Sequence, residues 1–109
     1  MERFFYNDKI EKNTLNDKIA RKVLAHDKDL MVCHLYFEEG GVGAEHSHPH
    51  SQIGYVISGE YEFSLDKEVS ILKPGDSVYI PSNVPHGIIC LKSGEFLDIF
   101  TPEREDFLK

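Results

Sequence analysis

Four side chains stand at the spacing of a metal cage: His46, His48, Gln52 and His86. The first three fall in Gly40-x5-His46-x-His48-x3-Gln52-x6-Gly59, and the fourth in a separate stretch, Gly75-x5-Pro81-x4-His86. Histidines two apart on an extended segment project to the same side of a sheet, because strand side chains alternate faces. A carboxamide a few residues on and an imidazole from a distant strand complete the set and leave the site open to a ligand. Imidazole and oxygen donors suit borderline divalent ions, so a single Ni, Zn, Mn, Fe or Co ion is the expected cofactor.

A second chemical feature lies near the C-terminus. On an extended segment Phe96, Asp98 and Phe100 share one face and Leu97 and Ile99 the other, and both faces read as buried. A carboxylate among aromatic rings costs stability unless it is paired or functional. On the residues alone two readings stay open for Asp98: a salt bridge or water-facing edge position, and a chemical role. Burial would raise its pKa and a nearby cation would lower it.

These residues need a scaffold of strands. From about residue 19 onward the chain reads as short strands between turn signals: 19–24, 30–38, 53–58, 60–65, 68–72, 77–80, 87–91 and 95–100. Alternation is clearest at Tyr61, Phe63 and Leu65 and again at Val69 and Ile71. Glu39-Gly40-Gly41, Ser58-Gly59, Asp66-Lys67, Lys73-Pro74-Gly75-Asp76, Pro81-Ser82-Asn83 and Ser93-Gly94 supply the turn chemistry. No helical stripe interrupts this region, and many short strands at regular spacing imply a β-sandwich or barrel. Residues 1–18 are polar and weakly patterned, fitting an arm, an extra strand or a partner contact. With no repeat, linker or low-complexity tract, the expectation is one domain over 1–109: an arm (1–18), a barrel (about 19–101) and a tail (102–109).

Composition narrows the partners. The chain has 109 residues, 40% hydrophobic and 11% aromatic, enough for a core without disulfide staples. Its 12 basic and 19 acidic residues give a formal charge of −7, which disfavours nucleic acid and anionic membranes. An anionic small molecule remains compatible where a metal or a local arginine receives it. Cys33 and Cys90 are isolated in apolar runs and read as small buried hydrophobes. The N-terminal stretch lacks a basic segment followed by an apolar core, and no apolar run reaches bilayer length, so the expected location is the cytoplasm.

The two histidine segments resemble the cupin signature at nearly every position. Two departures stand out: Gln52 occupies a place where many cupins carry Glu, and Asn83 one where Gly is common. Asn tolerates a left-handed backbone, so the second is mild. A narrower resemblance covers most of the chain. Arg21-Lys22-Val23-Leu24, His46-Ser47-His48-Pro49-His50, Leu72-Lys73-Pro74-Gly75-Asp76-Ser77, Ile80–Gly87 and Arg104–Leu108 resemble the KdgF-type pectin-degradation cupins.

That resemblance implies an all-β, single-domain jelly-roll barrel with an internal metal site, paired as a homodimer. It also implies opening of the ring of 4,5-unsaturated uronates to 5-keto-4-deoxyuronate in pectin or alginate breakdown. The family's Asp-x-Phe pair and following Arg stand here as Asp98, Phe100 and Arg104. Asp98 would be the acid/base, Arg104 would hold the uronate carboxylate and Phe100 would wall the sugar ring. By local charge alone Arg104 is a solvated tail residue. A neutral Gln52 leaves the ion's charge uncancelled, which favours polarising an oxygen. Three other readings are a metal-dependent dioxygenase, a sugar isomerase and a non-catalytic sugar- or metal-binding cupin, since one barrel hosts many chemistries. His50, after Pro49, reads as a neighbour of the site or a surface residue and not a ligand, and His26 and His34 as surface or satisfied core positions. Tyr36, Tyr55, Tyr61 and Tyr79 are expected mostly in the barrel core.

Overall fold

A computed structural model describes residues 2–109. Ten antiparallel strands follow one another: β1 (Lys12–Asn16), β2 (Ile19–Asp27), β3 (Leu30–Phe37), β4 (Val42–His46), β5 (Ser51–Val56), β6 (Glu60–Leu65), β7 (Glu68–Leu72), β8 (Ser77–Ile80), β9 (His86–Lys92) and β10 (Gly94–Thr101). Short 3-10 turns lie at Asn7–Lys9 and Glu105–Leu108. One sheet has the order β1-β2-β3-β10-β5-β8 and the other β4-β9-β6-β7. The sheets face each other as a jelly-roll barrel, the all-β architecture expected from the strand pattern.

Strands β6, β7 and β8 occupy the ranges read from the sequence. Two strands were not anticipated as such. β1 forms the outer edge of the larger sheet, so the N-terminal segment supplies an extra strand, every residue of it exposed. β4 contains Gly43 and buries no side chain; its pairing with β9 makes it a strand, not its own alternation. Val69 and Ile71 do alternate, but on the solvent side, 57% and 46% exposed, while Leu72 turns inward.

The ladder register of the larger sheet lays its inward residues out in rows. Arg21, Leu35, Phe96 and Val56 form one row. Val23, Cys33, Asp98, Gly54 and Val78 form the next, and Met31, Phe100, Gln52 and Ile80 the one after. The smaller sheet opposes them with Tyr61, Phe63, Ile88 and Cys90. Tyr61, Phe37 and Phe96 meet edge-to-face at centroid distances of 5.2, 5.3 and 6.3 Å. Only Tyr61 of the four expected core tyrosines is buried. Tyr36 is half-buried, and Tyr55 and Tyr79 lie 41% and 60% exposed, because β5 and β8 point them outward. Leu97 and Ile99 are likewise only half-buried on that outer face, which corrects the reading of β10 as buried on both sides. Cys33 and Cys90 are free and buried, as expected.

Two turn positions show why their residue types are needed. Gly59 has φ +86°, and a Cβ there would come within 2.5 Å of the Lys92 carbonyl oxygen. Asn83 takes φ 64°, the left-handed region that Asn tolerates.

Candidate metal centre and the cavity around it

His46 ends β4, His86 begins β9, and the two are ladder partners; His48 follows on the connection into β5. Their ring centroids lie 4.5 Å (His46–His86), 4.9 Å (His48–His86) and 5.6 Å (His46–His48) apart. One ligand atom from each falls within 4.8 Å of the others, so the three imidazoles are positioned to bind a metal ion. His48 and His86 are buried, whereas His46 is exposed and marks the open side.

Each ring is oriented by a backbone carbonyl two residues away. His46 Nδ1 donates to Ala44 O at 2.9 Å, His48 Nδ1 to His50 O at 3.0 Å and His86 Nδ1 to Val84 O at 2.9 Å. A carbonyl only accepts, so this network assigns the proton to Nδ1 and leaves each Nε2 with a free lone pair. Burial lowers the pKa of His48 and of His86, so both rings are held neutral, the form a metal requires.

The donor set is then tested by what faces these nitrogens. His86 Nε2 is buried with no partner. His48 Nε2 lies 3.0 Å from Gln52 Oε1, and with the ring proton on Nδ1 this is acceptor against acceptor. A shared cation resolves both anomalies. Three imidazole nitrogens and a carboxamide oxygen therefore fit a borderline divalent ion.

The same amide reaches the carboxylate of β10. Gln52 Nε2 donates to Asp98 Oδ1 at 2.7 Å. Desolvation pushes the Asp98 carboxyl up to about 7, against the opposing pull of the Gln52 hydrogen bond and the charges of Arg104 and Arg21. Asp98, Gln52, His46 and His86 line a cavity of about 220 Å³ together with Arg21 and Arg104.

The tail completes the cavity wall. Arg104 Nε and Nη2 donate to Asp106 Oδ1 and Oδ2 at 3.1 and 2.9 Å, and Asp106 is held below the usual carboxylate range, first by that bond. The Arg104 side chain is nonetheless only 13% exposed, so it is not the solvated tail residue its neighbours implied. Its guanidinium carbon lies 4.3 Å from the Phe107 ring centroid and 5.3 Å from that of Phe100. Phe100 is buried between His48 and Phe107, at centroid distances of 5.8 and 5.7 Å.

Of the residues expected at the site from the sequence, His46, Gln52, His86, Asp98, Phe100 and Arg104 line this cavity, and His48 sits behind it against Gln52 and His86. Arg21 and Phe107 were not anticipated there. Arg21 had a signal: it is the charged residue in the inward alternation Ile19, Arg21, Val23. Phe107 sits in a charged tail and had none. His50 carries a buried Nδ1 without a partner and lends its carbonyl to His48. His26 and His34 sit apart, satisfied by Glu103 at 2.8 Å and Glu95 at 2.6 Å.

A small antiparallel β-barrel with three imidazoles gathered from the paired strands β4 and β9 and the connection after β4 defines the class: jelly-roll barrels with a candidate metal centre. Residues 33–100 match the family described as Cupin domain, and the chain belongs to the cupin family. It is 39% identical over 110 residues to the pectin degradation protein KdgF of Dickeya dadantii (strain 3937), covering 99% of this chain and 100% of that one. The KdgF structure from a Halomonas species superposes with a TM-score of 0.92 at 37% identity, over 98% of this chain and 99% of that one. An RmlC-like cupin from Shewanella frigidimarina gives a TM-score of 0.93 at 34% identity, over 98% and 96% of the two chains.

Proposed function

We propose that this protein is a metal-dependent enzyme of pectin or alginate breakdown. It opens the ring of 4,5-unsaturated uronate monosaccharides to give 5-keto-4-deoxyuronate. The observation that carries the reading is the Gln52–Asp98 bond of 2.7 Å: it places a carboxyl beside the three-imidazole centre in one cavity. The likeness to two KdgF proteins over nearly the whole chain supports the same substrate class.

The chemistry follows from where charge moves. Asp98 accepts the proton of the anomeric hydroxyl, and as C1 becomes an aldehyde the bond from C1 to the ring oxygen breaks. The ring oxygen keeps that electron pair as an enolate on C5. Asp98 returns its proton to C4, the C4–C5 double bond is lost and C5 becomes a ketone. One proton leaves O1 and one enters C4, so the reaction is an isomerisation needing no oxidant. His46, His48, Gln52 and His86 would hold a divalent ion, and such an ion would supply Lewis acidity for the charge that develops on oxygen. Gln52 orients Asp98 through its amide hydrogen. Arg104 adds positive charge toward the uronate, and Phe100 walls the sugar ring.

The test is anaerobic turnover of a 4,5-unsaturated uronate by metal-loaded protein, followed by loss of the double-bond absorbance against the uncatalysed rate. Acceleration without oxygen, lost by about 10²- to 10⁴-fold in Asp98→Asn with the metal retained, is the expected result. No acceleration by verified holoprotein overturns the reading and leaves the oxygen-dependent and binding alternatives. The proposal includes a cytoplasmic location and a homodimer. Light scattering tests the pairing, with a monomer mass overturning it. Among the described residues no helix is long and apolar enough to cross a membrane.

A further inference from the structure

Two guanidiniums line the cavity, and they differ in what they already hold. The Nε–Nη2 edge of Arg104 is occupied by Asp106. Arg21 enters no ion pair among the described residues, and its buried Nε finds no acceptor. Its guanidinium carbon lies 3.5 Å from the Phe107 ring centroid, a stacking contact that fixes the plane without using any N–H donor. β2 projects Arg21 inward in the row adjacent to that of Asp98. An arginine stays charged even where burial disfavours it; Asp98 and Asp106 act on the Arg21 charge without pairing with it, so its donors are left for a ligand to meet.

We infer that Arg21 is the principal receptor for the substrate's carboxylate, with Arg104, already held by Asp106, adding its charge from the tail. The assignment rests on the uronate reading of the site and identifies the anchor of its anionic group. The Arg104 charge at the cavity is met by Asp106, which leaves Arg21 as the lining cation that makes no ion pair. A planar, pre-oriented fork matches a carboxylate in two parallel hydrogen bonds, which an ammonium cannot reproduce.

The experiment compares metal-loaded wild type, Arg21→Gln and Arg21→Lys. Calorimetric titration with galacturonate and with the neutral sugar galactose measures carboxylate preference without turnover. Wild type binds galacturonate in preference to galactose. Arg21→Gln loses about 10- to 100-fold of that preference, and Arg21→Lys recovers part of it. With the unsaturated uronate, KM rises by a similar factor in Arg21→Gln while kcat changes less. Metal content and circular dichroism show whether each variant is folded and loaded, and Arg21→Lys, which keeps the charge and stem, serves if Arg21→Gln does not fold. Unchanged preference in a folded, loaded variant overturns the assignment, as does a wild type with no preference for the carboxylate. A wild type that binds galacturonate through Arg21 yet opens no ring overturns the reaction and leaves the assignment standing.

Discussion

Gln52 donates to Asp98 across 2.7 Å although neither is the other's ladder partner: Gln52 lies opposite Phe100, and Asp98 opposite Gly54. They are diagonal neighbours on the inner face of β5 and β10, within reach because an amide side chain spans the offset. Gly54, the partner of Asp98 in the ladder, is needed for the packing beside them: a Cβ there would come within 2.7 Å of the Phe96 ring. One side chain thus faces the imidazole cluster with its oxygen and the carboxylate with its nitrogen.

Gln52→Glu separates those two duties. A carboxylate is an adequate metal ligand, so elemental analysis is expected to find the ion retained. The donor to Asp98 is lost, and two carboxyls then compete for one proton at hydrogen-bond distance. Turnover is expected to fall by about 10-fold or more, in line with the loss of a hydrogen bond to a charged group. An undiminished rate with metal bound would remove Gln52 from the positioning of Asp98.

Metal loading is expected to stabilise the fold measurably. A ligand at about 100 times its Kd adds about 2.7 kcal/mol to the native state. Thermal melts with a chelator and with added Ni or Zn should differ accordingly, and His86→Ala should abolish the difference. Equal melting temperatures in wild type would mean that His46, His48 and His86 do not form a working site.

The turn before His86 offers a test of backbone strain. Asn83 sits at φ 64°, where Ala costs about 1–2 kcal/mol and Gly nothing. Asn83→Ala should lower the denaturant midpoint by that free energy, while Asn83→Gly should leave it near or above wild type. Equal destabilisation by both would point to the Asn side chain and not its backbone.

Cys33 lies in the row of Asp98, and burial pushes its thiol up to about 12. The folded state holds the proton that the unfolded thiol releases near pH 9, so its contribution to stability is present below that pH and is lost from about 9 up to about 12. Urea midpoints should fall as pH rises from 8 to 10, and Cys33→Ala should flatten part of that slope. In native protein a thiol reagent should label neither Cys33 nor Cys90 faster than the chain unfolds.

Much of this architecture could be read before any coordinates. Tyr61, Phe63 and Leu65 alternate toward the interior, so β6 announced itself, as did the turns around Gly59 and Asn83. β4 did not, because Val42-Gly43-Ala44-Glu45-His46 buries nothing and is a strand only through its partner. His46 and His48 were legible from their local spacing, and His86 from its own stretch, Gly75-x5-Pro81-x4-His86. Arg21 was marked by its place in the alternation Ile19, Arg21, Val23, but only the ladder shows that its row runs beside that of Asp98. The pairing of Arg104 with Asp106 depends on a 3-10 turn that no periodicity marks.

The three carbonyls of Ala44, His50 and Val84 fix the orientation of the imidazoles from the backbone. A centre assembled in advance exerts little selection by rearrangement, and for such donors affinity tracks the intrinsic order of the divalent metals. An ion bound there would accordingly be set by which metal the surroundings supply, and a change of supply would change the occupant without a change in the sequence.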